Sequence, residues 1–522
     1  MSLLDVRNLS LRVGANTLLK DVSFRVSRGE IFGLVGESGS GKSLTALSIM
    51  QLLPDGMHQS GTIALDGEML SDLSEREMCK RRGRDVAMVF QEPMTALNPL
   101  HTIGQQVAES IELHSRVGRR EALGKAADVL ERVGLGHIPL TRYPHELSGG
   151  QRQRVVIALA IALRPKVLIA DEPTTALDVT TQAGILDLLS KLVREDGMAM
   201  ILITHDLAVV HDMADRVAIM EKGRVAETGV TSQVLKAPGQ DYTRALIAAS
   251  SHAPLRPPRD GTQVVMQARD VVRDYALPRR NPFSVRPTFR AVDHVKFELR
   301  KGENLGLVGE SGSGKSTLTR ALLGLEPVQG GSIELGGKLM DMDAARDLRR
   351  RIGIVFQDPF GSFNPRHTVA RLVAEPFHLL DRRPSKAEQR AAVGEMLESV
   401  GLNATDMDRH IHAFSGGQRQ RIAIARALII RPEIVVLDEA VSALDVQVRA
   451  QILDLLAELS DRFDVSYLFV SHDLSVVRAI TDRVLVMKDG AIVEQGDTAQ
   501  VFAKPSHAYT RQLIDAVPKL PI

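Results

Sequence analysis

Two matching sets of short motifs run through this chain in the same order, and that duplication limits its architecture more than any other feature. Gly36-Glu37-Ser38-Gly39-Ser40-Gly41-Lys42-Ser43 recurs as Gly309-Glu310-Ser311-Gly312-Ser313-Gly314-Lys315-Ser316. Leu147-Ser148-Gly149-Gly150-Gln151 recurs as Phe414-Ser415-Gly416-Gly417-Gln418, the pair Asp171-Glu172 as Asp438-Glu439, and His205 as His472. Beyond the first motif the spacing is constant at 267 residues: 148 to 415, 171 to 438, 205 to 472. Solenoid units run to about 50 residues or fewer, so a period this long marks a duplicated domain. A chain of 522 residues has room for two domains of about 250 residues, each with its own core.

Composition narrows the class. Hydrophobic residues make up 44% and charged residues 25%, ordinary for globular protein. The formal net charge of +1 gives no electrostatic pull toward nucleic acid, and no nucleic-acid partner is expected. No apolar run approaches the roughly 18 residues that would span a bilayer. Met1-Ser2-Leu3-Leu4-Asp5-Val6-Arg7 does not pair a basic segment with an apolar block, so no signal peptide is expected. The expected location is therefore the cytoplasm, or a membrane surface reached through other proteins. Cys79 is the only cysteine, which rules out an internal disulfide or a cysteine-ligated cluster.

The expected organisation is a first domain over 1–249, a linker over 250–263 and a second domain over 264–522. The linker segment holds three prolines and lacks apolar periodicity. Stretched, it reaches about 45 Å, enough for two domains of about 18 Å radius of gyration to face each other. Within each half, short apolar runs end at a glycine-rich or charged step. Ile31-Phe32-Gly33-Leu34-Val35 leads into the first glycine loop, Val167-Leu168-Ile169-Ala170 into Asp171, and Ile201-Leu202-Ile203-Thr204 into His205. Leu305 to Val308, Ile434 to Leu437 and Tyr467 to Val470 repeat this. Such runs read as buried parallel strands with function at their carboxyl ends. Helical stretches are expected at Gln151 to Leu163 and Thr181 to Glu195. The fold class is α/β.

Both glycine loops match the P-loop pattern in full. Glycines at Gly36, Gly39, Gly41, Gly309, Gly312 and Gly314 let backbone N–H groups, with Ser38 and Ser311, close on phosphate oxygens. The following helix N-terminus adds positive potential. Lys42 and Lys315 are expected on the β- and γ-phosphates, and Ser43 and Ser316 on Mg²⁺. Asp171 and Asp438 suit the Mg²⁺ shell through water; Glu172 and Glu439 suit polarising the attacking water. His205 and His472 follow the next strand and join this group. The expected cofactors are ATP and Mg²⁺.

Both halves resemble ATP-binding-cassette ATPase domains, over nearly the whole chain apart from the linker. The most specific motif is S-G-G-Q, at Ser148 to Gln151 and Ser415 to Gln418. The resemblance implies a parallel-sheet core and a helical subdomain in each half. It also implies that each S-G-G-Q closes over the γ-phosphate held by the opposite half. One site then joins Lys42, Ser43, Gln91, Asp171, Glu172 and His205 with Ser415 and Gly417. The other joins Lys315, Ser316, Gln357, Asp438, Glu439 and His472 with Ser148 and Gly150. Gln91 and Gln357 resemble the loop that touches both Mg²⁺ and the membrane partner. Asp178 and Asp445 resemble the loop that couples the sites. Neither half has lost a catalytic residue.

The departures lie elsewhere. Val13 stands where the first half would carry an adenine-stacking aromatic. In the second half Tyr275 is the first candidate, with Phe283 and Phe289 as alternatives because of an insertion near Pro278. Ala440-Val441 replaces the Pro173-Thr174 of the first half, a tolerated variation.

The segments from Phe90 to Pro99 and Phe356 to Pro365, with Asp241-Tyr242-Thr243-Arg244 and Ala508-Tyr509-Thr510-Arg511, resemble the dipeptide and oligopeptide importers. A fused pair of this length resembles the twin-cassette peptide and microcin importer ATPases. The resemblance implies two transmembrane permease subunits, a periplasmic binding protein, and a place on the cytoplasmic face of a bacterial inner membrane. An importer of glutathione, nickel or another solute is the alternative within the family. A ribosome-associated twin cassette is the alternative outside it, disfavoured by the short proline-rich linker. By the same resemblance, Met94, Leu97, Leu100, Phe360 and Phe363 are expected to border the groove that receives a permease helix; the alternative is that these side chains fill the local core.

Overall fold

The computed structural model describes the chain except residues 1, 176, 257–260, 278, 280–285, 359–360, 443 and 521–522, and the side chains of 93 and 94. Among the described residues ten strands build the first half: β1 (Ser2–Val13), β2 (Asn16–Ser27), β3 (Ile31–Gly36), β4 (Met57–Leu65), β5 (Glu68–Met69), β6 (Val86–Val89), β7 (Val167–Asp171), β8 (Ala199–Thr204), β9 (Arg216–Glu221) and β10 (Arg224–Val230). An antiparallel sheet runs β2-β1-β4-β5, and a second sheet runs β10-β9-β3-β8-β7-β6. In the second sheet only the β10–β9 pair is antiparallel.

The pleat explains why the strands of this sheet read as unbroken apolar runs. Val167 and Ile169 of β7 face the antiparallel sheet and the helix Lys42–Met50. Leu168 and Ala170 face the helices on the other side. Both faces are buried, so alternation with polar residues is lost. The chain turns functional only where these strands stop, at Gly36, Asp171 and Thr204.

A helical subdomain covers the outer face with Ile103–His114, Arg119–Arg132 and Gly149–Ile161. Ile103, Val107, Ala108 and Ile111 form the buried stripe of the first of these, and Thr102 caps it by accepting from the Gln105 N–H. The expected helices are present with slightly different limits, Gly149–Ile161 and Val179–Asp196.

The second half repeats the plan with β11 (Val264–Ala276), β12 (Thr288–Arg300), β13 (Asn304–Val308), β14 (Gly330–Leu335), β15 (Lys338–Leu339), β16 (Ile352–Val355), β17 (Ile434–Asp438), β18 (Ser466–Ser471), β19 (Arg483–Lys488) and β20 (Ala491–Asp497). Its sheets run β12-β11-β14-β15 and β16-β17-β18-β13-β19-β20.

The halves hold each other by exchanged pieces. The helix Asp241–Ser250, at the end of the first half, packs on the helix Val446–Phe463 of the second. Leu520, near the end of the chain, packs against the core of the first half. The segment between the halves is fastened as well. His252 Nε2 lies 2.6 Å from Asp454, and Arg256 donates to the Ile480 carbonyl at 2.7 Å and reaches Asp482 at 3.3 Å. Among the described residues no helix is long and apolar enough to cross a membrane.

Candidate active site

Each glycine loop joins a central strand, β3 or β13, to a helix, Lys42–Met50 or Lys315–Leu322. Two separate constraints require the glycines. Gly39 and Gly312 have open space around them but φ of +78° and +82°. Gly41 and Gly314, at φ +101° and +106°, are also crowded: a Cβ would overlap Leu19 in one and the Ala291 carbonyl in the other. Lys42 Nζ donates back to the carbonyls of Gly36 and Glu37 at 2.8 and 2.9 Å, and Lys315 Nζ to those of Gly309 and Glu310 at 2.6 and 2.8 Å. Burial pulls both ammoniums down, opposed by nearby carboxylates.

At the end of β7, burial pushes the Asp171 carboxyl up to about 6, against the pull of Ser43. Its Oδ1 is buried with no hydrogen-bond partner. Burial raises Asp438 in the same way.

The next residue is a carboxylate in a different environment. Glu172 and Glu439 sit at φ of +46° and +49°, in the left-handed region that non-glycine residues avoid. Their N–H groups donate to the Ile203 and Val470 carbonyls of the neighbouring strand. His205 Nδ1 stands 3.3 Å from Glu172 Oε1, while Gln91 and Thr175 donate to Oε2, each at 2.9 Å. In the second half His472 Nδ1 is 3.0 Å from Glu439 Oε1, and Gln357 donates to Oε2 at 2.5 Å. Burial pushes Glu172 upward, but His205, Thr175 and Lys42 outweigh it and hold the carboxyl at about 2. Burial is likewise outweighed by His472 and Lys315 at Glu439, which ends below its ordinary value. Both are ionised at neutral pH. A carboxylate held ionised in this way can orient and polarise a water. Sequence reading missed Thr175; the signal was a hydroxyl three residues after the carboxylate. The second half replaces that contact, with Ser442 donating to the Glu439 backbone carbonyl instead.

The signature serines are helix caps in each half. Ser148 Oγ accepts from the Gln151 N–H, and Gln151 Oε1 accepts from the Ser148 N–H; Ser415 and Gln418 repeat the box. Gly150 and Gly417 also have a packing reason: a Cβ there would overlap Thr181 or Val448 on the helix that follows Asp178 or Asp445.

Those aspartates reach across. Asp178 lines the second site, a cavity of about 340 Å³, together with Lys315, Glu439 and His472. The Thr180 hydroxyl lies within hydrogen-bonding reach of both Asp178 and Glu310. Reciprocally, Asp445 contributes to the fields at Glu37 and Lys42. Among the described residues Ser148 and Gly150 do not line the second site.

Tyr275 and Phe289 are cross-strand partners and both line that cavity. The Arg273 guanidinium covers one face of Tyr275 at 4.5 Å, and the Tyr275 hydroxyl donates to Glu326. Phe289 is 53% exposed. Phe283, the other candidate, lies outside the described residues.

The groove expectation needs correction. Leu97 and Phe363 are each only 4% exposed and belong to the cores. Gln106 is the physical reason in the first half. Its side chain accepts from the Asn98 N–H and donates to the Asn98 and His101 carbonyls, folding the loop onto the helix and drawing Leu97 inward. Phe363 lies beneath the Arg426 guanidinium at 4.5 Å. Of the candidates among the described residues, Leu100 is the exposed one, at 80%. The Met94 side chain and Phe360 lie outside the described residues.

Known proteins resemble this chain over most of its length. The family model for ABC transporters matches residues 19–175 and 292–442. The model for the oligopeptide/dipeptide transporter C-terminal region matches 493–521. The chain is 47% identical to the peptidoglycan transport ATP-binding protein YejF of Agrobacterium fabrum, over 98% of this chain and 96% of that one. It is 46% identical to the glutathione import ATP-binding protein GsiA of Escherichia coli K12, over 96% and 86%. A solved complex of an archaeal ribosomal stalk protein with the archaeal ribosome recycling factor aABCE1 superposes with TM-score 0.63 over 94% of this chain and 90% of that one. Its identity of 23% carries the fold alone. With both halves matched by one family model, and relatives aligned over almost the full length, the chain belongs to the ABC transporter family and is a twin-cassette ATPase.

Proposed function

We propose that this ATPase drives peptide import across a bacterial inner membrane, from the cytoplasmic face. Two transmembrane permease subunits would carry the solute, and a periplasmic binding protein would deliver it. The observation that carries the reading is the full-length likeness to transport and import ATP-binding proteins, joined to the oligopeptide/dipeptide C-terminal region. Uptake of a labelled peptide by cells lacking the chain, with and without its gene restored, tests it. Equal uptake in both sinks the reading.

Within the chain, we assign residues 1–249 and 264–522 to the two cassettes and 250–263 to their linker. Mg²⁺ suits the residues present: the unpartnered Asp171 Oδ1 beside Ser43 is a hard oxygen donor of the kind that cation takes. Ser43, Gln91 and Asp171 would hold it in one site, and Ser316, Gln357 and Asp438 in the other. When bound, it neutralises charge on the β- and γ-phosphates. The lysines bind phosphate, the glutamates orient the attacking water, and His205 and His472 keep those glutamates in place.

Each site is completed from the opposite half. Asp178 at the second P-loop and Asp445 near the first support that head-to-tail pairing, with Ser415 and Gly417 serving the Lys42 site and Ser148 and Gly150 the Lys315 site. Removing a preset donor to a developing anion costs about 10²-fold or more. Ser415→Ala is expected to lower hydrolysis at the Lys42 site by that factor and to reduce the Lys315 site much less. Site-resolved nucleotide trapping reads this, and a defect confined to the Lys315 site refutes the pairing.

Adenine recognition is expected to differ between sites. Aromatic stacking contributes about 1–3 kcal/mol per base, and Tyr275 with Phe289 offers it in the second site, whereas Val13 offers only dispersion. Tyr275→Ala and Phe289→Ala should each weaken nucleotide binding at the second site, while Val13→Ala changes the first little. Titration with nucleotide checks this; unchanged binding in the Tyr275→Ala, Phe289→Ala double variant excludes a stacking role.

A further inference from the structure

The Tyr-Thr-Arg segments take no part in the chemistry above, yet they make the same contacts in both halves. The Glu37 N–H donates to the Tyr242 hydroxyl at 3.4 Å, and the Glu310 N–H donates to the Tyr509 hydroxyl at 3.0 Å. These glutamates are the second residues of the two P-loops. Each tyrosine sits in the first turn of a helix, Asp241–Ser250 or Ala508–Asp515, about 200 residues downstream of the loop it touches.

The other residues of the segment rivet that helix in place. Thr243 donates to Glu227 of β10 at 2.6 Å, and the same carboxylate accepts the N–H groups of Gly239 and Gln240. In the second half Glu494 of β20 accepts from the N–H groups of Ser506 and His507 and from the Ser506 hydroxyl. Arg244 and Arg511 tie down the preceding Pro238 and Pro505 carbonyls. The Tyr509 ring is 3% exposed with the Lys488 ammonium 4.8 Å from its centre. Burial pushes both phenols up to about 12, so each stays neutral in the physiological range.

We propose that Tyr242 and Tyr509 are positioning residues for ATP: each hydroxyl holds the N–H of its P-loop glutamate and so presets the loop to receive phosphates. A loop of glycines and serines loses much conformational entropy when fixed. In this structure the lysine helps to fix it through the carbonyls of Gly36 and Glu37, or Gly309 and Glu310. A lysine that turns to phosphate gives up those carbonyls. The tyrosine contact involves an N–H and a different element, so it survives the exchange. The helices bearing the tyrosines also rest on the opposite half, at Val446–Phe463 and Val179–Asp196, which ties loop shape to the pairing of the halves.

Tyrosine to phenylalanine keeps the ring and removes only the acceptor. Tyr242→Phe, Tyr509→Phe and the double variant of the full chain should be compared by steady-state ATP hydrolysis and thermal melting. Losing one such hydrogen bond per loop is expected to raise KM for ATP about 3–10-fold in the double variant, with kcat within about twofold of the parent and the melting midpoint unchanged. Tyr509→Phe should exceed Tyr242→Phe, because its contact is shorter. An unchanged KM in the double variant overturns the proposal, and so does a raised KM that comes with a lower kcat or melting midpoint.

Discussion

Glu172→Gln and Glu439→Gln are each expected to lower ATP hydrolysis at their own site by about 10²-fold, the scale of a lost water-orienting carboxylate. The substitution keeps side-chain length and removes the charge. Gln offers one carbonyl oxygen where the carboxylate offers two, and it cannot take a share of the water proton. At Glu172, His205 engages one oxygen while Gln91 and Thr175 engage the other. At Glu439 the partners are His472 and Gln357. An amide can meet both sets only by turning its NH2 toward the histidine, which must then present Nδ1 as an acceptor, so the charge-assisted contact that aims the carboxylate is lost as well. Each single variant should fall by more than half, because the sites are not insulated. Asp178 lines the second site from the first half, and Asp445 acts on Lys42 from the second. The double variant should retain ATP without hydrolysing it, since neither P-loop lysine is touched. Turnover and nucleotide retention measured on the same preparations decide the matter. A single variant within twofold of the parent would falsify two cooperating sites.

The parts of this site readable from sequence are those with a local signature. A P-loop is eight consecutive residues whose glycines are needed where they stand, as the positive φ at Gly39, Gly41, Gly312 and Gly314 bears out. The strand-end carboxylates follow apolar runs because both faces of β7 and β17 are buried. What was illegible depends on distant partners. The clash that forbids a side chain at Gly150 comes from Thr181. Leu97 is buried because Gln106 folds the loop inward, a contact that no apolar pattern announces. Tyr242 looked like a branch marker, and its contact lies 205 residues away. The crossing of Thr180 to Glu310 depends on how the halves pair, which lies beyond either half's own sequence.

The burial of Leu97 and Phe363 places both in the cores rather than in the expected groove, and it makes a strong prediction about stability. Truncating a buried phenylalanine costs about 3–5 kcal/mol, and placing an unpaired carboxylate in the same space costs more. Domains are stable by only about 5–15 kcal/mol. Leu97→Asp and Phe363→Asp should therefore unfold or severely loosen the helical part of their half. At Phe363 the loss includes the Arg426 guanidinium that lies over the ring, although Arg426 also donates to the Ser362 carbonyl and hydroxyl and keeps those bonds. ATP hydrolysis and melting midpoint should fall together, because the cores that hold these side chains also include the strand ends at Ala170 and Leu437, next to Asp171 and Asp438. Leu100→Glu is the control. It lies on the same loop but outside the core, so melting and basal hydrolysis should stay at parent values. If Leu97→Asp melted like the parent while peptide uptake was lost, the side chain would have to be a docking contact rather than a core residue.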